Sequence, residues 1–103
     1  MNKCMFVGKF IKDPQLGVYK SQSGHEVDVT NFQLSIGHKF KKNNNETGSY
    51  TTLLNFEAWD SGANVICSKF KSGDFIMVES TARVKSGQAV FRVEHFERMP
   101  PDK

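Results

Sequence analysis

An aromatic side chain stands among lysines near the middle of the sequence. Phe40 lies within HKFKK, residues 38–42, and Trp59, the sole tryptophan, ends a later apolar stretch. Lysines neutralise phosphates, and aromatic faces stack on unpaired bases of any identity. The pattern predicts a surface for single-stranded nucleic acid. The alternatives are rim packing for Phe40, solvated lysines, and a core or subunit-interface role for Trp59.

Catalytic chemistry has little support in the sequence. The three histidines, His25, His38 and His95, fall in separate elements without a metal-binding spacing such as HExxH. Carboxylates are scattered along the predicted strands, whereas a metal-dependent nuclease, the competing enzyme class, needs several that converge. We therefore expect neither an enzyme nor a requirement for a metal or other cofactor.

The chain of 103 residues suffices for one domain and not for two. A domain of this size buries a small core, which favours further burial by self-association. The net charge is +3, with +4 in residues 1–42 and −1 in residues 43–103. The positive first part is a weak indication of a polyanionic partner.

The cysteines and the hydropathy of the sequence indicate the cellular compartment of the protein. Cys4 and Cys67 lack a CxxC or Cys/His spacing, which favours two reduced thiols over a disulfide. The sequence contains neither a secretory signal nor an apolar run long enough to cross a membrane. We expect a cytoplasmic protein in a bacterial cell or a phage-infected host, associated with the nucleoid.

Alternation of apolar and polar residues predicts a mainly β structure. Gly8 indicates a bulge or a close backbone crossing in the first strand, and a change of apolar parity at Thr30-Asn31 predicts a bulge in the second. Polar residues 41–49 predict a mobile hairpin loop. The predicted strands are 3–11, 26–40, 50–59, 74–85 and 89–96, with 16–20 extending or re-entering the first strand and a frayed end at 99–103. One helix is predicted within residues 61–73, with Asp60 or Ser61 as its cap, Gly73 as its stop, and an apolar face of Ala63, Ile66, Cys67 and Phe70.

The strand faces follow from the same alternation. Leu54, Phe56 and Ala58 form the inner face of the third strand, while Leu53, Asn55, Glu57 and Trp59 lie on the other. In the fourth strand the inward residues are Ile76, Val78, Ala82 and Val84, which leaves Arg83 and Lys85 on the opposite face. Five strands with a helix between the third and the fourth predict an OB-fold, although periodicity alone leaves other small barrels open.

Several segments resemble bacterial and phage single-stranded DNA-binding proteins. The match begins with residues 2–19 (NKCMFVGKFIKDPQLGVY) and continues in order through residues 30–35 (TNFQLS), 56–59 (FEAW) and 71–79 (KSGDFIMVE). It covers about residues 2–98. The resemblance implies an all-β, five-stranded OB-fold Greek-key barrel over residues 1–98 that coats and protects single-stranded DNA during replication, recombination and repair.

Departures from the family pattern accompany the resemblance. Of four aromatic stacking positions, Phe40 and Trp59 occupy two, Leu53 replaces a third, and the fourth falls in a shortened turn near Gly87. The chain ends at Lys103 without the acidic tail that recruits partners in many members. We therefore expect a compact version from a phage or other mobile element, without tail-mediated replication partners.

The expected partners are single-stranded DNA and further copies of the chain, with a homotetramer favoured over a dimer. Leu53 is as well suited to subunit packing as to base contact, and exposed surface charge is the alternative for Arg83 and Lys85. A replication-restart or recombination accessory protein of the same fold, acting mainly through protein partners, is the alternative function. The expected DNA-binding residues are Lys39, Phe40, Lys41, Lys42, Tyr50, Leu53, Asn55, Trp59, Lys71, Arg83, Lys85 and Arg92.

Overall fold

One closed sheet makes up most of the protein. The computed structural model describes residues 1–100, which form six strands and one helix. The strand order is β1-β5-β6-β4-β3-β2, and β1 also pairs with β3, so that the sheet closes on itself. In chain order the elements are β1 (Cys4–Phe10), β2 (Gly17–Lys20), β3 (Glu26–Lys41), β4 (Thr47–Trp59), α1 (Ser61–Lys69), β5 (Phe75–Lys85) and β6 (Gln88–Met99).

The first strand closes the ring because it pairs with two neighbours. Its residues from Cys4 to Lys9 pair with β5, and Lys9 and Phe10 also pair with β3. Gly8 lies at this crossing, where an added Cβ would stand 2.6 Å from Cδ1 of Ile36 and 2.9 Å from Cβ of Leu34. The predicted close crossing is confirmed, and the register of β1 with β5 runs without a bulge.

The core lies inside the ring and beneath the helix. Phe56 and Ala58 are buried and Leu54 packs against them, as the alternation in the third predicted strand requires. The rings of Phe10 and Phe70 stand 5.4 Å apart, which joins the first strand to the end of the helix. The fully assembled cluster contains Phe10, Phe32, Leu34, Ile36, Phe56, Ala58, Ala63, Ile66, Phe70, Ile76 and Val78.

The helix covers one end of the ring through its apolar stripe. Ala63 and Ile66 are buried, and the backbone N–H of Phe70 donates to the carbonyl of Ile66 where the helix ends. This confirms the predicted helix and its inner face. Gly73, predicted to stop the helix, instead lies in the following turn, where its φ of 94° is favourable for glycine.

The predicted bulge at Thr30-Asn31 is wrong. β3 and β4 pair in continuous register from Val29 opposite Trp59 to Lys41 opposite Thr47. The parity change arises because Val27 and Val29 lie outside the ring, while buried Thr30 satisfies its hydroxyl by donating to the carbonyl of Gln15 at 2.9 Å.

The register shift within residues 1–100 lies between β5 and β6 instead. Glu79 pairs with His95 but Ser80 pairs with Val93, which leaves Glu94 as the additional residue of β6. A bulge of this kind bends the strand and changes which residues face inward. Phe96 on one side of the bulge, and Phe91 and Val93 on the other, consequently pack against the same core.

Other predicted boundaries and faces also differ. The hairpin loop spans only residues 42–46, because strand pairing extends to Lys41 and Thr47. Ala82 and Val84 are exposed, not inward, since this end of the β5–β6 hairpin extends beyond the core. Met99 pairs with Phe75 and is not frayed, and residues 101–103 lie outside the described residues.

Substitution of Gly8 by alanine tests the close crossing. We expect Gly8→Ala to lower the free energy of unfolding by about 1–3 kcal/mol, because the methyl group would meet Ile36 and Leu34 in a packed core. Gly37→Ala is the matched control, since its Cβ would meet nothing within 4 Å. Chemical denaturation measures both variants, and equal effects would contradict the steric explanation.

Candidate nucleic-acid interface

The outer end of the β3–β4 hairpin carries exposed aromatic side chains. Phe40 is 45% exposed and Tyr50 is 54% exposed. The His38 ring stacks on Tyr50 with centroids 4.6 Å apart and planes inclined by 13°, and the Phe40 ring lies 6.0 Å from Tyr50. Phe40 also covers Gly48, where an added Cβ would stand 2.5 Å from its ring. The strand pairing therefore assembles a small aromatic surface from both strands.

Three lysines neighbour this aromatic surface in sequence, and the alternation of β3 places Lys39 and Lys41 on the face opposite Phe40. Lys39 and Lys41 belong to β3, and Lys42 begins the tight loop, where its backbone N–H donates to the carbonyl of Glu46 at 2.8 Å. All three are exposed, and none forms an ion pair with another residue in the described part of the chain. Their charges are available to a polyanion.

A groove of about 1020 Å³ lies along the outside of the ring. Its floor comes from β3 and β4 and contains Asn31, Gln33 and Asn55. Residues 11–15 form one wall, and the β5–β6 hairpin contributes the other. The complete lining is Ile11, Lys12, Asp13, Pro14, Gln15, Asn31, Phe32, Gln33, Asn55, Phe56, Ser72, Lys85, Gln88 and Val90.

Beside this groove a buried carboxylate holds two cations and an indole. The Glu57 side chain is fully buried, although it lies on the outer face of β4. Its Oε1 is 2.7 Å from Nζ of Lys85. Its Oε2 accepts hydrogen bonds from Nη2 of Arg92 at 3.0 Å and Nε1 of Trp59 at 2.5 Å. One carboxylate thus compensates part of the positive charge of Lys85 and Arg92.

The pKa of Glu57 reflects two opposing influences. Burial raises it, because a charged carboxylate loses hydration, but hydrogen bonds from Lys85, Trp59 and Arg92 lower it. The net result is a pKa below the ordinary value of 4.5. Glu57 is therefore ionised at neutral pH and contributes to stability as the anion.

Trp59 is half-buried and enclosed by its neighbours. The Arg92 guanidinium lies 5.1 Å and the Lys85 ammonium 5.7 Å from the indole, both in cation–π range. Tyr19 packs edge-on against it at 5.5 Å. The sequence prediction placed Trp59 correctly on the outer face, but it did not reveal these contacts, which reduce the free aromatic surface.

The predicted site residues fall into separate groups. Asn55 and Lys85 line the groove, and Trp59 and Arg92 join them through Glu57. Phe40 pairs with Gly48, eleven residues before Trp59 on β4, which corresponds to about 36 Å along an extended strand. In the unbroken ladder, Phe40 and Tyr50 share the alternation of the core residues Ile36 and Leu54, so the aromatic surface lies on the opposite face of the two strands from Trp59.

The remaining predicted residues lie outside these two groups. Leu53 is 52% exposed on the outer face of β4. Arg83 is exposed on the β5–β6 hairpin without lining the groove. Lys71 lies in the turn after α1, where its backbone N–H donates to Oδ2 of Asp74 at 2.8 Å.

The sequence did not identify the amides Asn31 and Gln33, or Lys12 on the rim, as residues of the groove. It also did not show that Glu57 binds the side chains around it. Glu57 was assigned only to the outer face, and its sole local signal was an acidic residue among Leu53, Asn55 and Trp59. Its contact with Arg92 depends on the parallel pairing of β4 with β6, which joins residues far apart in sequence.

Residues 1–100 contain neither a cluster of candidate metal ligands nor a helix suited to crossing a membrane. In this part of the chain no three His, Cys, Asp or Glu side chains gather as they would around a metal ion. Nor does the described chain contain a helix with the length and apolar character needed to span a membrane.

Substitution of Glu57 tests its role as an ionised anchor. We expect Glu57→Gln to lower the free energy of unfolding by about 1–3 kcal/mol at pH 7, because the ion pair with Lys85 and the charge-assisted hydrogen bond from Arg92 are lost. Since the pKa of Glu57 is lowered in the folded state, its contribution is present above 4.5 and is lost as the pH falls through the folded pKa. The difference between variant and parent should therefore shrink in acid.

Urea denaturation at several pH values measures this difference. Glu79→Gln is the control, because Glu79 pairs with a half-exposed Lys3 and its loss should destabilise the fold much less than the loss of Glu57. A Glu57→Gln variant as stable as the parent at pH 7 would show that the carboxylate anchors nothing.

Comparison with known proteins agrees with this architecture. A single-stranded DNA-binding protein of Malacoplasma penetrans (strain HF-2) is 31% identical over 99 residues, which cover 91% of this chain and 47% of that protein. The chain thus spans about half the length of this curated relative.

Solved structures share the fold at low sequence identity. A deletion mutant of the single-stranded DNA binding protein from Thermus aquaticus has a TM-score of 0.75 at 14% identity, covering 97% of this chain and 51% of that one. The protein priB from Ralstonia solanacearum gives 0.73 at 14%, covering 95% and 97%. A small single-stranded DNA-binding protein from Streptomyces coelicolor gives 0.73 at 16%, covering 96% and 95%.

These likenesses confirm the predicted OB-fold, with the β2 segment as a separate short strand. The match to the family itself is independent of the solved structures. It extends over residues 1–96, nearly the whole sequence. The chain belongs to the single-strand binding protein family.

Proposed function

We propose that this protein binds single-stranded DNA with little sequence preference, and coats and protects it during replication, recombination and repair. The observation that carries the proposal is the β3–β4 hairpin, where exposed Phe40 and Tyr50 lie among three lysines without ion pairs in the described chain. Aromatic faces stack on bases and lysines bind phosphates, which is the combination that sequence-independent binding requires. Membership of the family supports the same function.

A bound strand would contact both the aromatic surface of the hairpin and the groove on the outer face. Lys39, Lys41 and Lys42 bind phosphates beside the aromatic surface, and Lys85 and Arg92 bind them near Trp59. Lys85 and Arg92 each retain N–H groups that do not donate to Glu57 and can donate to phosphates. Bases stack on Phe40 and Tyr50, and Leu53, Asn55 and Trp59 contact them further along. Lys71 and Arg83 add positive potential at the edges. The protein acts by binding, without a catalytic step, in the cytoplasm.

Self-assembly is the second part of the proposal. Met5 and Val7 on β1 are 62% and 48% exposed, and Val7 pairs with half-buried Met77 on β5. Large apolar side chains on adjacent strands form the kind of patch that a subunit interface covers. We propose a homo-oligomer, with a tetramer favoured over a dimer.

A second candidate is a replication-restart or recombination accessory protein that acts mainly through protein partners. The enclosed indole favours it, because Arg92 and Lys85 already lie against the Trp59 ring and Glu57 compensates part of their charge. In this case DNA binding is secondary and weak.

Titration of Trp59 fluorescence with oligo-dT distinguishes the two functions. We expect quenching and binding that weakens with salt, with a slope of log K against log salt of roughly −3 to −4 if about four to six phosphates are contacted. The titration is run at increasing oligonucleotide length and two salt concentrations. An absence of quenching, with micromolar or weaker affinity at low salt, would support the accessory protein.

Substitution of Phe40 tests the aromatic surface directly. We expect Phe40→Ala to weaken binding of a labelled oligo-dT by about 1–3 kcal/mol, the value of one base–aromatic stack. Folding should be unaffected, because the side chain is 45% exposed. Fluorescence anisotropy gives the affinity and denaturation gives the stability. Val18→Ala, at a 60% exposed position on β2, is the control, and equal binding by both variants would exclude Phe40 from the interface.

Light scattering after gel filtration tests the oligomer. We expect the mass of four chains for the parent and a lower mass for Val7→Lys, because a charge within a buried apolar interface is costly. Val84→Lys introduces the same charge at a 77% exposed position on the β5–β6 hairpin and should leave the mass unchanged. A monomeric parent would contradict the proposal.

A further inference from the structure

A buried carboxylate lies within the face that is proposed to bind DNA. Glu57 stands on the outer face of β4 between Asn55, which lines the groove, and Trp59, and its side chain is fully buried. A carboxylate repels a polyanion, and neither base stacking nor phosphate binding requires one. The function proposed above therefore leaves Glu57 unexplained.

The contacts of Glu57 engage the groups that a phosphate would use. Its Oε1 lies 2.7 Å from Nζ of Lys85, and its Oε2 accepts from both Nε and Nη2 of Arg92, at 3.1 and 3.0 Å. Paired N–H groups of this kind are also what arginine offers to a phosphate. The N–H groups that remain can reach a phosphate, but only while the two cations share their charge with Glu57.

The charges of this cluster do not cancel completely. Two cations and one anion leave a local net charge of +1, whereas Lys85 and Arg92 alone would give +2. Full burial of the carboxylate limits its screening by salt. The side chains of Lys85 and Arg92 are 49% and 30% exposed, so both remain accessible to a bound strand. The cluster therefore attracts phosphates with about half of the charge that its cations carry.

The same carboxylate restrains the indole. Nε1 of Trp59 donates to Oε2 of Glu57 at 2.5 Å, and the Arg92 guanidinium that Glu57 holds lies 5.1 Å from the indole. Tyr19 packs edge-on against the same ring. A base that stacks on Trp59 thus needs ring surface that Arg92 contacts for as long as Glu57 holds it.

We propose that Glu57 is an intramolecular competitor of the DNA phosphates, which holds Lys85 and Arg92 in the free protein and thereby limits the affinity of this face for single-stranded DNA. The proposal rests on the function proposed above and adds its regulation. Binding requires the two cations to exchange part of their contact with a carboxylate for contact with phosphates. A bound strand is consequently released more readily than from a surface whose cations have no such partner.

The test compares Glu57→Gln, which keeps the shape of the side chain and removes its charge, with the parent. Binding of a labelled oligo-dT of about twelve nucleotides is measured by fluorescence anisotropy at several salt concentrations. We expect the variant to bind about three- to thirtyfold more tightly at about 50 mM salt. The slope of log K against log salt should become more negative by roughly 0.7–1.4, since each further phosphate neutralised adds about 0.7.

The direction of the change separates competition from mere orientation of the cations. A carboxylate that only positioned Lys85 and Arg92 for DNA would give weaker binding when it is replaced. Weaker or unchanged binding by Glu57→Gln, with urea denaturation showing that the variant is folded, would therefore overturn the proposal.

Glu94→Gln is the matched control. Glu94 lies on β6 two residues from Arg92, is exposed, and forms no ion pair within residues 1–100. Its replacement changes the net charge by the same amount without releasing a cation, so we expect a change in affinity of less than about twofold. Equal strengthening by both variants would assign the effect to net charge and overturn the role of Glu57.

Two further outcomes keep the proposal separate from the function on which it rests. If the parent does not bind oligo-dT even at low salt, the proposed function fails and this proposal fails with it. If the parent binds and Glu57→Gln binds no more tightly, only this proposal fails.

A measurement on the parent alone covers the case in which Glu57→Gln does not fold. The Nε–H of Arg92 and the Nε1–H of Trp59 both donate to Glu57 in the free protein, and each gives its own signal in a ¹⁵N NMR spectrum. Saturating oligo-dT should shift both signals, because phosphates draw Arg92 away from the carboxylate. An Arg92 signal that stays unchanged on saturation would exclude the competition.

Discussion

The fold depends on how closely two backbones approach at Gly8. Because no Cβ stands there, β1 can leave β5 and join β3 within one strand, which closes the ring. Closure brings Phe10 against Phe70 at the end of the helix, so that strand and helix share a single core. It also leaves the outer faces of β3, β4 and β6 outside the core. The candidate interface occupies this outer surface and the hairpin beyond it.

Local sequence patterns were sufficient to predict the structure wherever it depends on residues of a single strand or helix. The alternation of Phe56 and Ala58 identified the inner face of β4, and the helical spacing of Ala63 and Ile66 identified the stripe that covers the core. The aromatic residue among lysines at position 40 was also visible, because its members are neighbours in sequence.

Patterns failed where a residue's environment comes from a distant strand. Val27 and Val29 suggested a bulge, but they are opposite Tyr19 and Trp59 on neighbouring strands and so belong to the outer surface. Val84 alternates correctly for a core residue, yet its hairpin extends past the core. Burial of Glu57 requires Arg92 on a parallel neighbour, which no short window of sequence contains.

The hairpin and the groove differ in their uncompensated positive charge and in how firmly their charged side chains are held. The hairpin lysines carry uncompensated charge, whereas Lys85 and Arg92 are oriented by a buried carboxylate that removes part of theirs. Long-range attraction of a polyanion therefore originates mainly at the hairpin, and the groove offers fixed geometry. The two regions differ in chemistry although the same pair of strands runs through both.

The hairpin carries its aromatic side chains outside the core, and this affects how the protein can change over generations. Phe40 and Tyr50 rest mainly on each other, on His38 and on Gly48, while the core residues of the same strands begin at Ile36 and Leu54. Substitutions among these exposed residues cost little folding stability, since most of the core does not contact them. With the interface proposed above, ligand preference can drift or adapt at the hairpin while the ring remains intact, so that selection on binding and selection on folding would act on largely separate residues.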